Sequence, residues 1–333
     1  MKKILSLLLA LLLLATVLPG CSGGVKVPKE YQEYVMPWEQ DARAAAMEDG
    51  CIHYYFMSGE GGKYGAEDDP VKWGDSCLVV FPDGTTMLID AGMAEYGAVL
   101  SWNLKKLGIE QLDYFMLSHP HNDHGYGAVK GGILQDFGVK EVFYNGIYNN
   151  AWGDPQIVEN ICRQMHVPCT VLRKGDVLTV GGVSMEVLWP QPEFVGQTLN
   201  KTADINNTSL VVRFDYGQHS SLFTGDVYKN AERELVAYDR AKLDVDLLKL
   251  PHHGGDTSND SPFIYAVTAE LAVATGFDPV DIAVFNRYKG TKTTILMDSE
   301  DGYVHVSSGK DGVLAYETSR ERSEKSAFGQ LSK

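Results

Sequence analysis

The sequence predicts an α/β fold of four layers: two mixed β-sheets packed face to face, with helices on both outer faces. Three observations carry this expectation. Short apolar runs pair as a hairpin early in the chain, Ser76 to Phe81 and Thr86 to Ile89 across Pro82-Asp83-Gly84. Later apolar runs alternate with amphipathic helical stretches, the pattern of strand–helix units. The chain of 333 residues, 44% apolar, is also long enough to bury one large core. No internal repeat or low-complexity tract interrupts it.

Taken in order, Met1-Lys2-Lys3 and the apolar run Ile4 to Leu14 form a basic start and a short apolar core. Pro19 follows too soon for a comfortable membrane-spanning helix. Leu18-Pro19-Gly20-Cys21 resembles a bacterial lipoprotein cleavage box, although a small non-proline residue is usual where Pro19 stands. Residues 1–21 therefore predict a lipoprotein-type signal peptide. Cys21 would be lipidated and the chain held on the outer face of the cytoplasmic membrane, with simple secretion as the alternative and an uncleaved anchor as the plain reading. Residues 22–50 read as a tether and N-terminal extension with a short helix over Glu39 to Met47. The main domain, 51–317, opens with the strand Ile52 to Met57, in which His53 is structural rather than a ligand. The Gly-rich, acidic stretch 58–72 predicts a solvated loop, with a lid as the minority reading and a second ion site as a further alternative.

Tyr96 to Leu107 reads as a helix stopped by Gly108, with Val99, Leu100, Leu104 and Leu107 on one face. A helix over Gly125 to Phe137 and the strand Glu141 to Tyr144 follow. Asp154 to Met165 is helical, with His166 as its cap. Strands are expected at Cys169 to Leu172, Val177 to Val180, Val183 to Trp189, Ser221 to Thr224 and Leu247 to Leu250. Asp281 leads into a helix that contains Asn286-Arg287-Tyr288. Strands over Tyr303 to Ser307 and Val313 to Tyr316 close the domain, and residues 318–333 read as a loose tail.

Cysteine usage and charge bound the chemistry. Apart from Cys21 there are four cysteines. Cys51 and Cys77 start the two strands of one hairpin, where antiparallel pairing sets starts against ends, so they are poorly placed to bond. Cys162 and Cys169 are better placed for a disulfide, while buried free thiols are the plainer reading for all four. None has metal-site spacing. Loss of the leader removes Lys2 and Lys3, leaving 27 basic against 44 acidic residues and a net charge near −17. That charge disfavours nucleic acid as a general partner, although a pair of cations would create a local positive site.

The densest chemistry lies in Ser118-His119-Pro120-His121-Asn122-Asp123-His124-Gly125, just after the apolar run Leu112 to Leu117. Three imidazoles and a carboxylate at a strand end suit zinc or a neighbouring transition metal. His119 and His121 can face one ion, and Asp123 and His124 a second alongside it. A polar loop whose histidines only cap a helix is the bland alternative. The order His-x-His-x-Asp-His resembles the metallo-β-lactamase superfamily. The resemblance extends to Asp90-Ala91-Gly92, to Asn206-Asn-Thr-Ser209, to Thr224-Gly225-Asp226 and to Pro251-His252-His253-Gly254. It is similar to the branch holding the hydrolase domain of competence-type DNA-uptake proteins and the choline-phosphate esterases.

The resemblance implies the same four-layer fold and a hydrolase with two divalent ions, zinc or else manganese, using a metal-activated water. It implies His119, His121, Asp123, His124, Asp226 and His252 as ligands, with Asp226 bridging. Comparison with relatives carrying His-x-Gly favours His252 over His253 as ligand and leaves His253 to face substrate. Asp123 would also orient the water, and Asp90 would steady a ligand histidine from behind. Asn206 stands where most of the superfamily has a further histidine, and is a weak ligand or a loop cap. A small or cell-surface phosphoester, above all a phosphodiester, is the expected substrate. The alternatives are a lactonase, β-lactamase or thioesterase, and a non-catalytic surface binding protein.

Overall fold

The computed structural model describes residues 25–57, 74–276, 279–323 and 326–328. The leader with Cys21 and the stretch 58–72 lie outside the described residues. Ile52–Phe56 is buried at every position, because both faces of its sheet are covered. Tyr54 and Phe56 enter the core between the two sheets, while Tyr55 faces the helices outside. The strand belongs to an eight-stranded sheet with the order Leu314–Thr318, Val304–Ser308, Ile52–Phe56, Cys77–Val80, Thr86–Ile89, Tyr114–Leu117, Glu141–Tyr144, Cys169–Val171. The first five strands pair antiparallel and the remainder parallel. A parallel neighbour requires a crossover. Gly97–Lys106 supplies the first, burying Val99, Leu100 and Leu104.

The second sheet has seven strands in the order Thr294–Met297, Leu271–Ala274, Leu247–Lys249, His219–Phe223, Val211–Tyr216, Val183–Trp189, Val177–Val180. Its first four are parallel and the rest antiparallel. Phe56 and Phe143 of one sheet and Phe214 and Phe223 of the other share the middle core. Separate apolar clusters join each sheet to its outer helices. Four layers result.

Several local expectations change. The helix expected over Gly125 to Phe137 is two helices, Asn122–Val129 and Ile133–Phe137. Gly132, at φ 88°, breaks the run where an L side chain would be strained. The strands Val211–Tyr216 and Thr294–Met297 fill out the second sheet and had no counterpart in the sequence reading. Part of the expected loose tail is held. Arg322 bonds Asp301 through its Nε at 2.9 Å, and Phe328 packs on Phe285. The four described cysteines are free, but Cys51 and Cys169 are only half-buried. Cys77 stands opposite Phe56, far along the strand from Cys51. His166 does close its helix, in the left-handed region.

Between the sheets the Tyr54 hydroxyl meets His219 Nε2 and Ser221 Oγ, each at 2.9 Å. Burial, outweighing Asp246 and Asp215, holds the His219 imidazole down at about 4 against an ordinary 6.5. The unfolded chain therefore binds a proton below pH 6.5 that the fold refuses. Stability is complete above pH 6.5 and falls as pH drops toward 4, by roughly 2 kcal/mol at pH 5. Urea unfolding of the wild type and His219→Gln at pH 7 and pH 5 checks this. The wild type is expected to lose about that much more than the variant, and equal losses would contradict it.

Candidate metal centre

The chemistry-bearing loops leave the carboxyl ends of the parallel strands, where α/β sheets place their sites. Tyr114–Leu117 delivers Ser118 and the histidine cluster, and the next helix starts at Asn122 with His121 as its N-cap residue. That helix lies tight on the turn after Thr86–Ile89. The Gly127 N–H donates to Gly92 C=O at 2.7 Å, and a Cβ at Gly127 would sit 1.8 Å from the Ala91 oxygen. His219–Phe223 leads through Gly225 to Asp226. Leu247–Lys249 leads to His252 and His253, both at positive φ (47° and 56°). Two consecutive non-glycine residues there are strained, and such strain clusters at functional sites.

Asp226 Oδ2 is the focus. His124 Nε2 and His253 Nε2 each lie 3.2 Å from it, and His119 Nε2 and His252 Nε2 each 3.9 Å. The Asp226 N–H donates to Ser209 Oγ at 3.0 Å, and that hydroxyl donates to the Asn206 carbonyl at 2.8 Å. The ring of His119 meets His121, Nε2 to Nδ1, at 3.0 Å. Asp123 Oδ2 stands 3.6 Å from His253 Nε2 and 3.9 Å from His124 Nε2.

Behind these groups, Asp90 accepts from the Ser118 N–H, the Ser118 hydroxyl and His124 Nδ1–H, all at 2.7 Å. The last bond leaves His124 Nε2 facing Asp226, which is how an outer carboxylate orients a ligand histidine. His253 donates Nδ1–H to the Thr275 carbonyl at 2.6 Å. His252 Nδ1 is engaged by the Thr257 hydroxyl at 2.5 Å. Both rings of the His252-His253 pair thus approach Asp226, His253 the more closely. Asn206, 1% exposed, adjoins His121 and Tyr228.

Two residues were passed over in the sequence. Asp75 Oδ2 lies 2.6 Å from Lys249 Nζ, 3.7 Å from His253 Nδ1 and 3.9 Å from His124 Nδ1. Asp75 and Lys249 are both buried. Their signal was Lys249 itself, a lysine inside the apolar run Leu247 to Leu250, since a buried ammonium requires a buried carboxylate.

Burial opposes charge throughout the site, and the neighbours decide the outcome. Desolvation lowers His119, and the rings of His124 and His121 lower it further. The same burial acts on His124 and His253, but carboxylates led by Asp226 outweigh it and raise both, His253 to about 10. Asp226 itself is driven well below the usual carboxylate range, because His253 and His124 overcome its burial.

This donor set fits divalent cations. Single atoms of Asp75, His124, Asp226 and His253 lie within 4.8 Å of one another. Asp226 Oδ1 is buried with no hydrogen-bond partner among the described residues. A cation would replace the protons that His124 and His253 now hold among the carboxylates. Asp90→Asn removes the anionic acceptor that fixes the His124 ring. It is expected to weaken metal binding about 10–100-fold with the fold retained, read by competition with a chromogenic chelator and by circular dichroism. Unchanged affinity would contradict the role given to Asp90.

Residues 72–274 match the model for the metallo-beta-lactamase superfamily. Competence protein ComA of Neisseria gonorrhoeae is 30% identical over 238 residues, covering 69% of this chain and 30% of that protein. ComE operon protein 3 of Bacillus subtilis is 29% identical over 168 residues, covering 50% of this chain and 20% of that protein. The chain thus spans less than a third of the length of these relatives. Among solved structures, the metallo-beta-lactamase fold protein YhfI of Bacillus subtilis superposes with a TM-score of 0.48 at 15% identity, over 80% of this chain and 99% of that one. The matched residues begin just before Asp75 and end with the strand that follows His253, so they contain the whole candidate centre, and the chain belongs to the metallo-beta-lactamase superfamily.

Proposed function

We propose that the chain is an exported, lipid-anchored hydrolase of phosphoesters, phosphodiesters foremost, that works with two divalent transition-metal ions. The observation that carries this reading is the convergence of four imidazoles on one oxygen of Asp226. Carboxylate oxygens can serve two cations, and His119 with His121 offers a second pair of nitrogens beside those of His124 and His253. When bound, such ions supply Lewis acidity that activates water and neutralises developing oxyanion charge. A phosphodiester spreads that charge over several oxygens, which suits paired cations around a carboxylate.

The chain's own groups do the remaining work. Asp123 is the most exposed carboxylate of the cluster, its side chain 21% exposed against 2% for Asp226. His124 and His253 overcome its burial and hold it ionised. Its Oδ2 can therefore orient a water and accept its proton. The His253 ring, 16% exposed, stands at the same opening, where it contacts substrate. His252 and His253 are tied through Nδ1 to Thr257 and Thr275, so neither ring is free to turn away. The acidic surface disfavours long polyanions and favours small or zwitterionic esters. Among the described residues no helix is long and apolar enough to cross a membrane. Attachment is assigned to the lipid on Cys21.

The purified protein is expected to hold about two transition-metal ions per chain and to lose activity in chelator. Because Asn206 is a neutral donor, the ion at His119 and His121 should leave first in a stepwise titration; equal affinities would contradict this. Hydrolysis of bis(p-nitrophenyl) phosphate or p-nitrophenyl phosphocholine is expected. Asp226→Asn and His121→Ala should each cost on the order of 100-fold or more in kcat. Efficient lactone or nitrocefin turnover without phosphoester activity would overturn the substrate choice. Cys21→Ser should release the protein to the medium or leave it unprocessed. Membrane partition and processed mass unchanged from wild type would refute the anchor.

A further inference from the structure

Beside His121 the surface opens into a cavity of about 290 Å³ whose walls include Asn122, Tyr126, Asn149, Trp152, Asn200 and Thr202. We propose that this cavity receives an uncharged, hydroxyl-bearing group, a sugar or polyol, carried by the ester cleaved at the metal centre. The proposal rests on the phosphodiester reading above and names the alcohol that such an ester carries.

No Asp, Glu, Lys or Arg is among the described residues that line the cavity, in a chain whose surface is otherwise rich in charge. Three side-chain amides and the hydroxyls of Thr202 and Tyr126 belong to the residues that take that place. A side-chain amide carries two N–H donors and an acceptor oxygen, the complement of a group carrying several hydroxyls, and Asn149 keeps one N–H beyond its bonds within the protein. Asn149 is held firmly for this purpose. It is 3% exposed, donates to the Pro120 carbonyl at 2.5 Å and accepts from the Ala151 N–H at 2.9 Å. Asn200 and Thr202 also line the cavity and are exposed.

A second observation points to a ligand. Trp152 is 8% exposed, and its indole N–H is buried with no acceptor among the described residues. A buried donor left so costs about 1–3 kcal/mol, and a hydroxyl that reached it from the cavity would remove that cost. The same aromatic pair argues against other occupants. Trp152 is covered by Tyr126, ring centroids 5.1 Å apart at 59°, and the Lys130 ammonium sits 3.5 Å from the Tyr126 centroid. Trp152 thus presents no open face for stacking a nucleobase, and one face of Tyr126 is taken. A quaternary ammonium needs open aromatic faces, and here a lysine already occupies one, so a choline-bearing ester would place its ammonium outside this cavity. Hydrogen bonding, not stacking, is what the cavity offers. Its volume, at the low end for ligand sites, admits one ring-sized group rather than a polymer.

The test uses the metal-loaded protein and p-nitrophenyl phosphodiesters that share one leaving group and differ in the second alcohol: ethanol, glycerol, glucose or thymidine. The glycerol or glucosyl diester is expected to exceed the ethyl diester about tenfold in kcat/KM, the worth of one or two added hydrogen bonds. The larger of those two arms identifies the source. Asn200→Ala/Thr202→Val should erase the advantage through KM and leave the ethyl diester unchanged, which also shows that the variant is folded. Equal rates for all four esters, a preference for thymidine, or a variant that slows every ester alike would overturn the proposal.

If no diester is turned over, the phosphodiester reading fails by itself. The cavity is then read by calorimetric titration with glycerol phosphate against ethyl phosphate. Tighter binding of glycerol phosphate, lost in the double variant, supports the site. Equal affinities in the wild type overturn it.

Discussion

Four carboxylates, those of Asp75, Asp90, Asp123 and Asp226, share one buried neighbourhood, and three of them are at most 2% exposed. Carboxylates removed from water are costly unless each is paired and hydrogen-bonded. The fold answers these three in turn. Asp75 is paired with the buried Lys249, and Asp90 takes three short hydrogen bonds from Ser118 and His124. Asp226 is left with imidazoles alone, four of them aimed at one oxygen while the other has no partner among the described residues. That residual demand for positive charge is what the architecture is arranged around, and divalent cations meet it best.

The arrangement holds because the groups sit on strand ends rather than on long loops. Asp90 and Ser118 leave adjacent parallel strands of one sheet, and Asp226 and the His252-His253 pair leave adjacent parallel strands of the other. One bond ties the two edges across the sandwich, the Leu210 N–H donating to the Ser118 carbonyl at 2.8 Å. Within the second sheet's edge the Ser209 hydroxyl fixes Asp226, and the His252 N–H donates to the Gly225 carbonyl at 3.2 Å. The close approach at Gly225, φ 49°, leaves no room for a Cβ, which would lie 2.6 Å from that of Ser209. Two sheets are held so that their ligands meet.

How much of this was legible beforehand varied with range. The histidine cluster, the Asp90 turn and the His252-His253 pair are local in sequence, and the structure brings all of them to one place. The first sheet read well because its hairpin and strand–helix units carry clear periodicity. The helix break at Gly132 was missed because an apolar period runs across it, and only backbone conformation separates the halves. The hold on the tail depends on Arg322 meeting Asp301 and Phe328 meeting Phe285, contacts that no local pattern announces. Asp75 was invisible for a related reason: its importance lies in Lys249, more than 170 positions away. The relation of His252 to His253 was open because neighbours in sequence differ only by the turn that aims them. Both turn left-handed, and both rings come to Asp226.

In the proposed two-ion centre Asp226 would lie between the cations. X-ray absorption at the metal edge of the zinc- or manganese-loaded protein tests it most directly. The account predicts imidazole scattering together with a metal–metal vector of roughly 3.5–4 Å, and loss of that vector in Asp226→Asn. A fully loaded, active protein that shows isolated ions with no metal–metal vector would contradict it.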